Sequence, residues 1–464
     1  MNLGTIRPGR SALACLALLL CAASAGAVTK MEMHAQMIAI AQQMSAIKGN
    51  PALAGEYAQL RSQYRALSQA LGGDDPGHAI GAGAAVNGQG PEGLGPPLPP
   101  GCTGATGTTP STNVPVAIVD LGTVSSTLTV SGMGTFLTGI TASTSITHTF
   151  GSDLQFTLQS PGGVVVTLST NNGGGNDNVF NGTTWTADAN PGGPVPYASN
   201  DGLVTLHNYV DLVTATPLAP EESLGAFFGV DPNGIWTLTV ADDAAQDVGS
   251  IDAWSVTITA ADTPPTVTNL VVNSTDTPVA ILDVATVTST LAVAGAEPYL
   301  CNMTATTAIT HTFSGDLQFT LTSPAGTISS MSSNNAGSGA DVFDGTNWTD
   351  QANPGGQVPY ASNDGVSTDH LYVTNVTATP LVGEEGWAGF AGEDANGNWV
   401  LTVADTAALD VGSIDSWSVD LSFCSCAAAP SVLEIPTLNR WGVGALALLL
   451  AGGAFFLFRR RAAA

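Results

Sequence analysis

The sequence predicts an all-β protein with two tandem jelly-roll β-sandwich domains, preceded by a short α-helical hairpin and followed by one transmembrane helix. The first supporting observation is an internal repeat. Motifs around His148 and Trp236 return around His311 and Trp399, in both cases 163 residues later (311 − 148 and 399 − 236). A period of this length is the size of a domain and too long for a solenoid unit. The second observation is the alternation of apolar and polar residues over 154–158, which is typical of a half-buried strand.

Turn signals between the predicted strands are the third observation. Asp231-Pro232-Asn233-Gly234 has Pro at the second position and Gly at the fourth, as a type I turn prefers. Many short strands separated by such turns, over about 150 residues in each copy, are typical of a sandwich or a jelly roll. A domain of this size can bury an adequate core without help from a partner.

The repeat boundaries and the shifts in composition divide the chain into eight segments. Gly, Pro, Ala and Thr dominate the stretch before the first copy, which indicates a flexible linker. The predicted segments are a signal peptide (1–27), a helical hairpin (28–71), a linker (72–111), a first sandwich (112–262), a linker (263–268), a second sandwich (269–423), a tether (424–434) and a C-terminal sorting segment (435–464) that contains a transmembrane helix (441–458).

Both ends of the chain contain apolar segments with basic flanks. Arg7 and Arg10 precede an apolar run, and Ala25-Gly26-Ala27 is a small-residue cleavage site, so the sequence predicts a secretory signal peptide. At the other end, the apolar run 441–458 is followed by three arginines, which predicts a spanning helix with the repeats outside the cytoplasm. The alternative for this run is a buried C-terminal helix.

The segment after the signal peptide has two short heptad seams separated by Gly49-Asn50-Pro51. This pattern predicts two helices joined by a turn. Packing of the two helices on each other is the preferred interpretation, and oligomerisation or partner docking is the alternative.

Charge is distributed unevenly along the chain. All Asp and Glu residues except Glu32 and Glu56 lie between Ala66 and Asn439, and this stretch contains no Lys or Arg. Such a field repels nucleic acid and concentrates divalent cations. The acidic surface is therefore interpreted either as a solvated secreted surface or as a calcium-binding one.

Calcium takes six to eight oxygen ligands, and acids that recur in both copies are the natural candidates. Loops with several such acids would supply these oxygens without a competing cation nearby. The candidate calcium ligands are Asp201, Glu221 and Glu222 in the first copy and Asp364, Glu384 and Glu385 in the second.

Four cysteines remain after the predicted signal peptide: Cys102, Cys301, Cys424 and Cys426. An exported protein can form disulfides, and four cysteines allow three pairings that the sequence does not rank. Thr138 stands in the first copy where Cys301 stands in the second, so no bridge is repeated. A zinc site is not expected, because no histidine accompanies these cysteines at ligand spacing.

The repeats resemble the P domain, also called the Homo B domain, that follows the subtilisin-like catalytic domain in proprotein convertases and in many secreted bacterial proteases. The resemblance rests on the motifs at 148–162, 231–242 and 249–256, and the second copy matches from His311 to Pro324 and again up to Trp417. It implies a β jelly roll and an association with serine endopeptidases.

The tail resembles a bacterial C-terminal sorting signal with a transmembrane helix and an arginine cluster. This resemblance implies a Gram-negative envelope, recognition by an exosortase-like enzyme, and either retention in the inner membrane or cleavage and delivery to the cell surface. The residues that carry it are Ile435, Pro436, Thr437, Leu438, Trp441 and Gly442.

A catalytic centre is not expected. The stretch upstream of the first copy is too small for a subtilisin domain, and the repeats contain no nucleophile elbow such as Gly-x-Ser-x-Gly. The histidines of the repeats are at 148, 207, 311 and 370, and His148 and His311, on an alternating strand beside Thr, are interpreted as structural. The sequence thus predicts a protein that is not an enzyme and has no catalytic residues.

Paired aromatic residues at Trp185, Trp348, Tyr197 and Tyr360 are interpreted as plugs of the sandwich ends, with a carbohydrate or peptide platform as the alternative. The predicted function is an exported, membrane-anchored or surface-sorted protein for adhesion or interaction with a surface protein or glycan. The alternative is an accessory protein of a subtilisin-like serine endopeptidase. Nucleic acid is excluded as a partner by the charge.

Overall fold

The computed structural model describes residues 97–187, 189, 202–204, 209–352, 364–367, 372–426, 447–453 and 459. The predicted signal peptide (1–27), helical hairpin (28–71) and sorting motif (435–442) lie outside these residues. The chain divides into two compact units, one ending at Cys426 and one beginning at Ala427.

The first repeat is a β-sandwich of a seven-stranded and a four-stranded sheet. The larger sheet has the order β1-β11-β4-β7-β9-β8, with β2 also paired to β11, and the smaller has the order β3-β10-β5-β6. The strands are β1 (Gly104–Pro110), β2 (Val116–Ile118), β3 (Thr123–Val130), β4 (Phe136–His148), β5 (Leu154–Gln159), β6 (Val165–Thr170), β7 (Asn181–Trp185), β8 (Gly202–Leu203), β9 (Leu218–Ala219), β10 (Gly234–Asp242) and β11 (Gly249–Ala261).

The second repeat has the same two sheets in the same order. Its larger sheet is β12-β22-β15-β18-β20-β19, with β13 also paired to β22, and its smaller sheet is β14-β21-β16-β17. The strands are β12 (Thr266–Asn273), β13 (Val279–Ile281), β14 (Thr286–Val293), β15 (Leu300–His311), β16 (Leu317–Thr322), β17 (Ile328–Ser333), β18 (Phe343–Thr349), β19 (Gly365–Val366), β20 (Leu381–Val382), β21 (Gly397–Asp405) and β22 (Gly412–Ser425).

Each sandwich has its own hydrophobic core, built from the inward residues of the alternating strands. Trp236 on β10 and its counterpart Trp399 on β21 are fully buried. Trp236 packs edge-on against Phe227, with ring centroids 5.1 Å apart, and its indole N–H donates to the Pro232 carbonyl at 2.9 Å. The tryptophans that recur in the sequence repeat are therefore core anchors with satisfied N–H groups.

Strands β1 and β22 extend the sandwiches beyond the segments expected to contain them. β1 lies within the predicted linker 72–111, because its backbone pairs with β11 from Gly104 opposite Ala261 onward. β22 continues to Ser425, inside the predicted tether 424–434, where it pairs with Thr266 of β12.

Two disulfides lie at the end of the sandwiches where β11 and β22 finish. Cys102 bonds Cys426, with Cα atoms 4.8 Å apart, and Cys301 bonds Cys424, with Cα atoms 5.7 Å apart. The first bridge joins the start of the first sandwich to the end of the second. The two repeats are thereby closed into one covalent loop.

The predicted transmembrane helix at 441–458 is wrong. The described helical residues in this part of the chain are 447–453 and 459, and among the residues that the structure describes no helix is long and apolar enough to cross a membrane. The predicted membrane partnership through this helix is therefore not supported by the described residues.

Candidate functional site

The two sandwiches contact each other through equivalent 3₁₀ turns. Leu224–Phe227 of the first repeat approaches Asp350–Ala352 and Trp387–Phe390 of the second. We call these three turns and the residues that precede them, Ser223 and Gly386, the repeat junction.

Asp350 is the central polar group of the repeat junction. Its buried carboxylate accepts a hydrogen bond from the Trp387 amide at 2.7 Å and further ones from the Ala388 amide and the Ser223 hydroxyl. Ser223 belongs to the first repeat and Trp387 to the second. One carboxylate therefore caps a turn of its own repeat and binds the other repeat.

Two glycines make this close approach possible. A Cβ atom on Gly225 would lie 1.9 Å from Oδ2 of Asp350, and one on Gly386 would lie 2.1 Å from Oγ of Ser223. Neither contact is compatible with real side-chain packing. The junction therefore requires glycine at both positions.

The two copies carry different residues at the positions that form the junction. Ala187 stands in the first copy where Asp350 stands in the second, and Ser223 stands where Gly386 stands, both 163 residues apart (350 − 187 and 386 − 223). The repeated motifs of the sequence do not predict this contact. Its only signal in the sequence is that the copies differ at these positions.

A small groove lies between the sandwiches beside the junction. Its volume is about 170 Å³, and its lining includes Phe136, Phe228, Tyr299, Asn302 and Ser422. Ligand pockets usually enclose about 300–1,000 Å³. This groove is thus too small for a typical ligand, and it is part of the packing between the repeats.

The four glutamates predicted as calcium ligands are buried and bound to the neighbouring strand. In the first repeat, Glu221 accepts hydrogen bonds from the Thr170 amide at 2.8 Å and from Asn172 at 2.5 Å, and Glu222 accepts one from the Thr167 amide at 2.5 Å.

The second repeat repeats this arrangement. Glu384 accepts from the Ser333 amide at 3.0 Å and from Asn335 at 2.6 Å, and Glu385 accepts from the Ser330 amide at 2.8 Å. In each copy the glutamate pair supplies acceptors to the open edge of β6 or β17. A buried acceptor for an otherwise unpaired strand amide is a structural role.

The other two predicted calcium ligands are placed differently. Asp201 lies outside the described residues, and Asp364 is exposed. Within the part of the chain that the structure describes, no group of three or more His, Cys, Asp or Glu side chains is arranged to hold a metal ion. Calcium binding stays a prediction from the charge of the sequence.

Burial changes the protonation of several acids. Desolvation raises the pKa of Glu222 to about 8, against the opposing hydrogen bond from the Thr167 amide. Desolvation likewise raises the pKa of Glu384. An acid with a raised pKa favours the neutral form, which is a poorer metal ligand than a carboxylate.

The repeated histidines connect the two sheets of each sandwich. His148 at the end of β4 places Nδ1 2.8 Å from the Phe150 carbonyl oxygen and Nε2 3.2 Å from Oδ2 of Asp242, at the end of β10. In the second repeat, His311 Nε2 lies 3.4 Å from Oδ2 of Asp405. Both imidazoles are buried.

Acids surround these imidazoles in the interior. Desolvation raises the pKa of Asp242, and desolvation together with Asp405 and Asp410 raises the pKa of Asp316 to about 6. Among the described residues, neither ring nitrogen of His148 is hydrogen-bonded to a serine hydroxyl. The geometry is that of a buried bridge between sheets.

The remaining predicted site residues divide into buried and undescribed ones. Trp185 and Trp348 are fully buried, and each donates its indole N–H to a threonine hydroxyl at 2.9 Å. They do not form an exposed platform. Tyr197, Tyr360, His207 and His370 lie outside the described residues.

The pKa of Asp350 predicts a pH dependence of stability. Burial raises this pKa to about 6 in the folded protein, from an ordinary value of 3.8. The folded state then binds more protons than the unfolded state between these pH values, so stability rises as the pH falls through 6 and is lost as the pH rises through it. Asp350 alone should make the free energy of unfolding about 1 kcal/mol greater at pH 5 than at pH 7.5.

Urea unfolding at the two pH values measures this difference. In the variant Asp350→Asn the side chain does not titrate, so the free energy of unfolding should depend less on pH. The dependence should not vanish, because Asp316, whose pKa is also raised, still titrates. Equal pH dependence in the wild type and the variant would show that Asp350 titrates normally.

Comparison with known proteins identifies the modules. The model of the proprotein convertase P-domain matches residues 137–258, 300–357 and 373–421, and that of the IPTL-CTERM motif matches 435–462. Leupeptin-inactivating enzyme 1 of Streptomyces exfoliatus is 31% identical over 166 residues, which are 36% of this chain and 28% of that enzyme. The chain thus spans little more than a quarter of that relative's length.

Two solved structures of a serine protease from Aeromonas sobria are also similar to part of the chain. The protease in complex with its chaperone is 22% identical to this chain, with a TM-score of 0.23. This match covers 35% of this chain and 28% of the protease chain. The protease alone is 20% identical, with a TM-score of 0.21, and this match covers 34% of this chain and 27% of the protease chain.

These matches decide the nature of the repeats and of the tail. The P-domain is a non-catalytic module, and no catalytic domain is evident in the segments that the family models match. The IPTL-CTERM motif implies recognition by an exosortase-type sorting enzyme and indicates an exported protein sorted to the cell surface. The chain therefore contains two tandem proprotein convertase P-domains and ends in an IPTL-CTERM motif.

Proposed function

We propose that this protein is an exported interaction module, in which two P-domains closed into one unit bind a partner protein at the cell surface without catalysis of their own. The observation that carries the proposal is the use of the buried polar groups. Each glutamate pair and Asp350 accept hydrogen bonds from backbone amides, and Nε2 of His148 and of His311 lies 3.2 Å and 3.4 Å from a buried aspartate carboxylate. These groups serve the packing of the fold, so binding of a partner falls to the exposed surface of the described unit, which carries acids and no Lys or Arg.

The disulfides support the same proposal. A bridge between Cys102 and Cys426 suits an extracellular environment, where reducing agents are scarce. A surface-displayed binding protein benefits from such a closed unit, because its binding surface keeps one geometry.

The experiment is covalent crosslinking in intact cells that make the tagged full chain, followed by mass spectrometry of the proteins attached to it. The control is the same tag on an unrelated exported protein. We expect at least one envelope or extracellular protein to be enriched over the control. No enrichment over the control would contradict the proposal.

A second candidate function is that of an accessory protein for a subtilisin-like serine endopeptidase. The P-domain family and the protease relatives favour it. Recovery of such an endopeptidase as the crosslinked protein, with a higher melting temperature in the presence of the full chain, would select this candidate. Recovery of a partner without protease activity would select a role in adhesion or display.

A further inference from the structure

Each sandwich exposes aliphatic side chains on two neighbouring loops at one end. In the second repeat these are Leu282 and Val284 before β14, and Leu409 and Val411 before β22. Leu409 is 91% exposed, Leu282 60% and Val284 59%. The Leu409 amide donates to the Asp283 carboxylate at 2.9 Å, so the two loops are adjacent. We call residues 282–284 and 409–411 the second tip.

The first repeat has the equivalent feature at residues 119–121 and 246–248, the first tip. Val119, Leu121 and Val248 are exposed there. The Gln246 amide donates to Asp120 at 3.0 Å, so the loops meet in the same way. Gln246 occupies the position of Leu409, which leaves the first tip with one aliphatic side chain fewer.

The backbone of the tips disfavours the residues found there. Leu121 and Val284 have φ angles of 55° and 52°, and Gln246 and Leu409 have φ angles of 91° and 96°. Bulky and β-branched residues rarely adopt positive φ, which glycine or asparagine adopts more readily. At 121 and 284 both copies thus keep an aliphatic residue where neither burial nor the backbone favours it, and the second copy does so again at Leu409; strain of this kind is typical of functional positions.

The charged groups at the second tip are all acidic. Asp283 lies between Leu282 and Val284, and Asp410 lies between Leu409 and Val411. No Lys or Arg occurs anywhere between Ala66 and Asn439, so no cation of the repeats neutralises them. The surface therefore combines aliphatic contacts with a negative field that attracts cations and repels anionic groups.

The tips lie far from the covalent closure of the unit. β22 runs 14 residues from Gly412 at the second tip to Ser425 beside the disulfides, and β11 runs similarly from the first tip. At about 3.3 Å per residue the second tip is roughly 40 Å from Cys426. The packed repeat junction and the disulfides do not cover it.

We propose that the second tip is a docking surface for a partner protein that presents an aliphatic segment flanked by Lys and Arg residues. This inference rests on the proposed function and locates its binding surface. Leu282, Val284, Leu409 and Val411 make the apolar contact, and Asp283 and Asp410 pair with the basic residues. The first tip binds the same kind of segment more weakly, because Gln246 replaces the leucine.

The test uses the full chain and a labelled synthetic peptide of alternating leucine and lysine, with fluorescence anisotropy as the readout. The test variant is Leu409→Gln combined with Leu282→Ser. Leu409→Gln reproduces the residue of the first tip at nearly the same φ, so the loop should keep its conformation. The matched control is Val271→Ser on β12, which is 59% exposed and lies away from the tip.

We expect the test variant to bind the peptide at least tenfold more weakly than the wild type, and the control variant to bind it equally well. Binding should weaken as salt increases, and Asp410→Asn, which can still accept the Thr312 hydrogen bond, should reduce that salt dependence. Circular dichroism melting confirms that the variants are folded.

Three results would overturn the inference. They are equal binding by the wild type and the test variant, equal binding of a leucine–glutamate peptide, and binding of phosphatidylcholine vesicles through the tip. Crosslinking in cells distinguishes a wrong docking surface from a wrong proposed function. If the test variant captures the same partner as the wild type, the inference fails and the proposed function stands, whereas if neither captures a partner the proposed function itself fails.

Discussion

Replacing Cys102 and Cys426 together by serine is expected to lower the free energy of unfolding by about 5 kcal/mol. This bridge spans 324 residues of sequence, and a crosslink that closes so long a loop removes much conformational entropy from the unfolded chain. It is also a second covalent link between the two sandwiches, besides the backbone that joins β11 to β12. Guanidinium unfolding, followed by tryptophan fluorescence, measures the loss.

The double replacement of Cys301 and Cys424 is the matched control, because this bridge lies within the second repeat. Its removal should destabilise the protein but leave the unfolding of the two sandwiches as one transition. Removal of the bridge between Cys102 and Cys426 should in addition separate the unfolding of the two sandwiches into two transitions. An unchanged unfolding midpoint would contradict the role assigned to this bridge.

Asp350→Ala is expected to destabilise the protein by about 3–5 kcal/mol. The change leaves the buried Trp387 amide and the Ser223 hydroxyl without their acceptor and opens a cavity at the repeat junction. The alanine at the equivalent position 187 of the first copy shows that the sandwich itself accepts alanine there. The loss should therefore come from the contact between the repeats.

Differential scanning calorimetry of the full chain measures this effect. Asp344→Ala is the matched control, since Asp344 is an exposed acid on β18, close in sequence to Asp350. Its effect should stay within about 0.5 kcal/mol. Equal effects of the two substitutions would show that the junction contributes no stability.

The strands and cores could be predicted because their signal is local. The alternation at 154–158 corresponds to β5, whose inward residues Leu154, Phe156 and Leu158 are fully buried. The repeated Trp236 and Trp399 likewise proved to be core residues. Period-two alternation indicates which side chains of a strand are buried, and this can be read from the strand's own residues alone.

The contacts between distant segments could not be predicted in this way. Three disulfide pairings were open, and only the packing of β1 on β11 and of β12 on β22 brings Cys102 to Cys426. The repeat junction depends on Asp350 and Ser223, which belong to different copies. A search for what the copies share passes over such residues, since each is present in one copy alone.

The acidic pairs illustrate what the sequence does not show about position. Glu221-Glu222 and Glu384-Glu385 were predicted as calcium ligands because they recur in both copies and lie in loops with no cation nearby. The structure buries them, since the edge strands β6 and β17 need acceptors for their amides. This need arises from the sheet topology, and no local pattern in the sequence contains it.

Titration of the purified full chain with the partner recovered by crosslinking tests the proposed function most directly, with isothermal calorimetry and intact mass on the same samples. We expect saturable binding and a partner of unchanged mass after prolonged incubation. Cleavage of the partner by the full chain would contradict the proposed function, because the protein would then be a hydrolase.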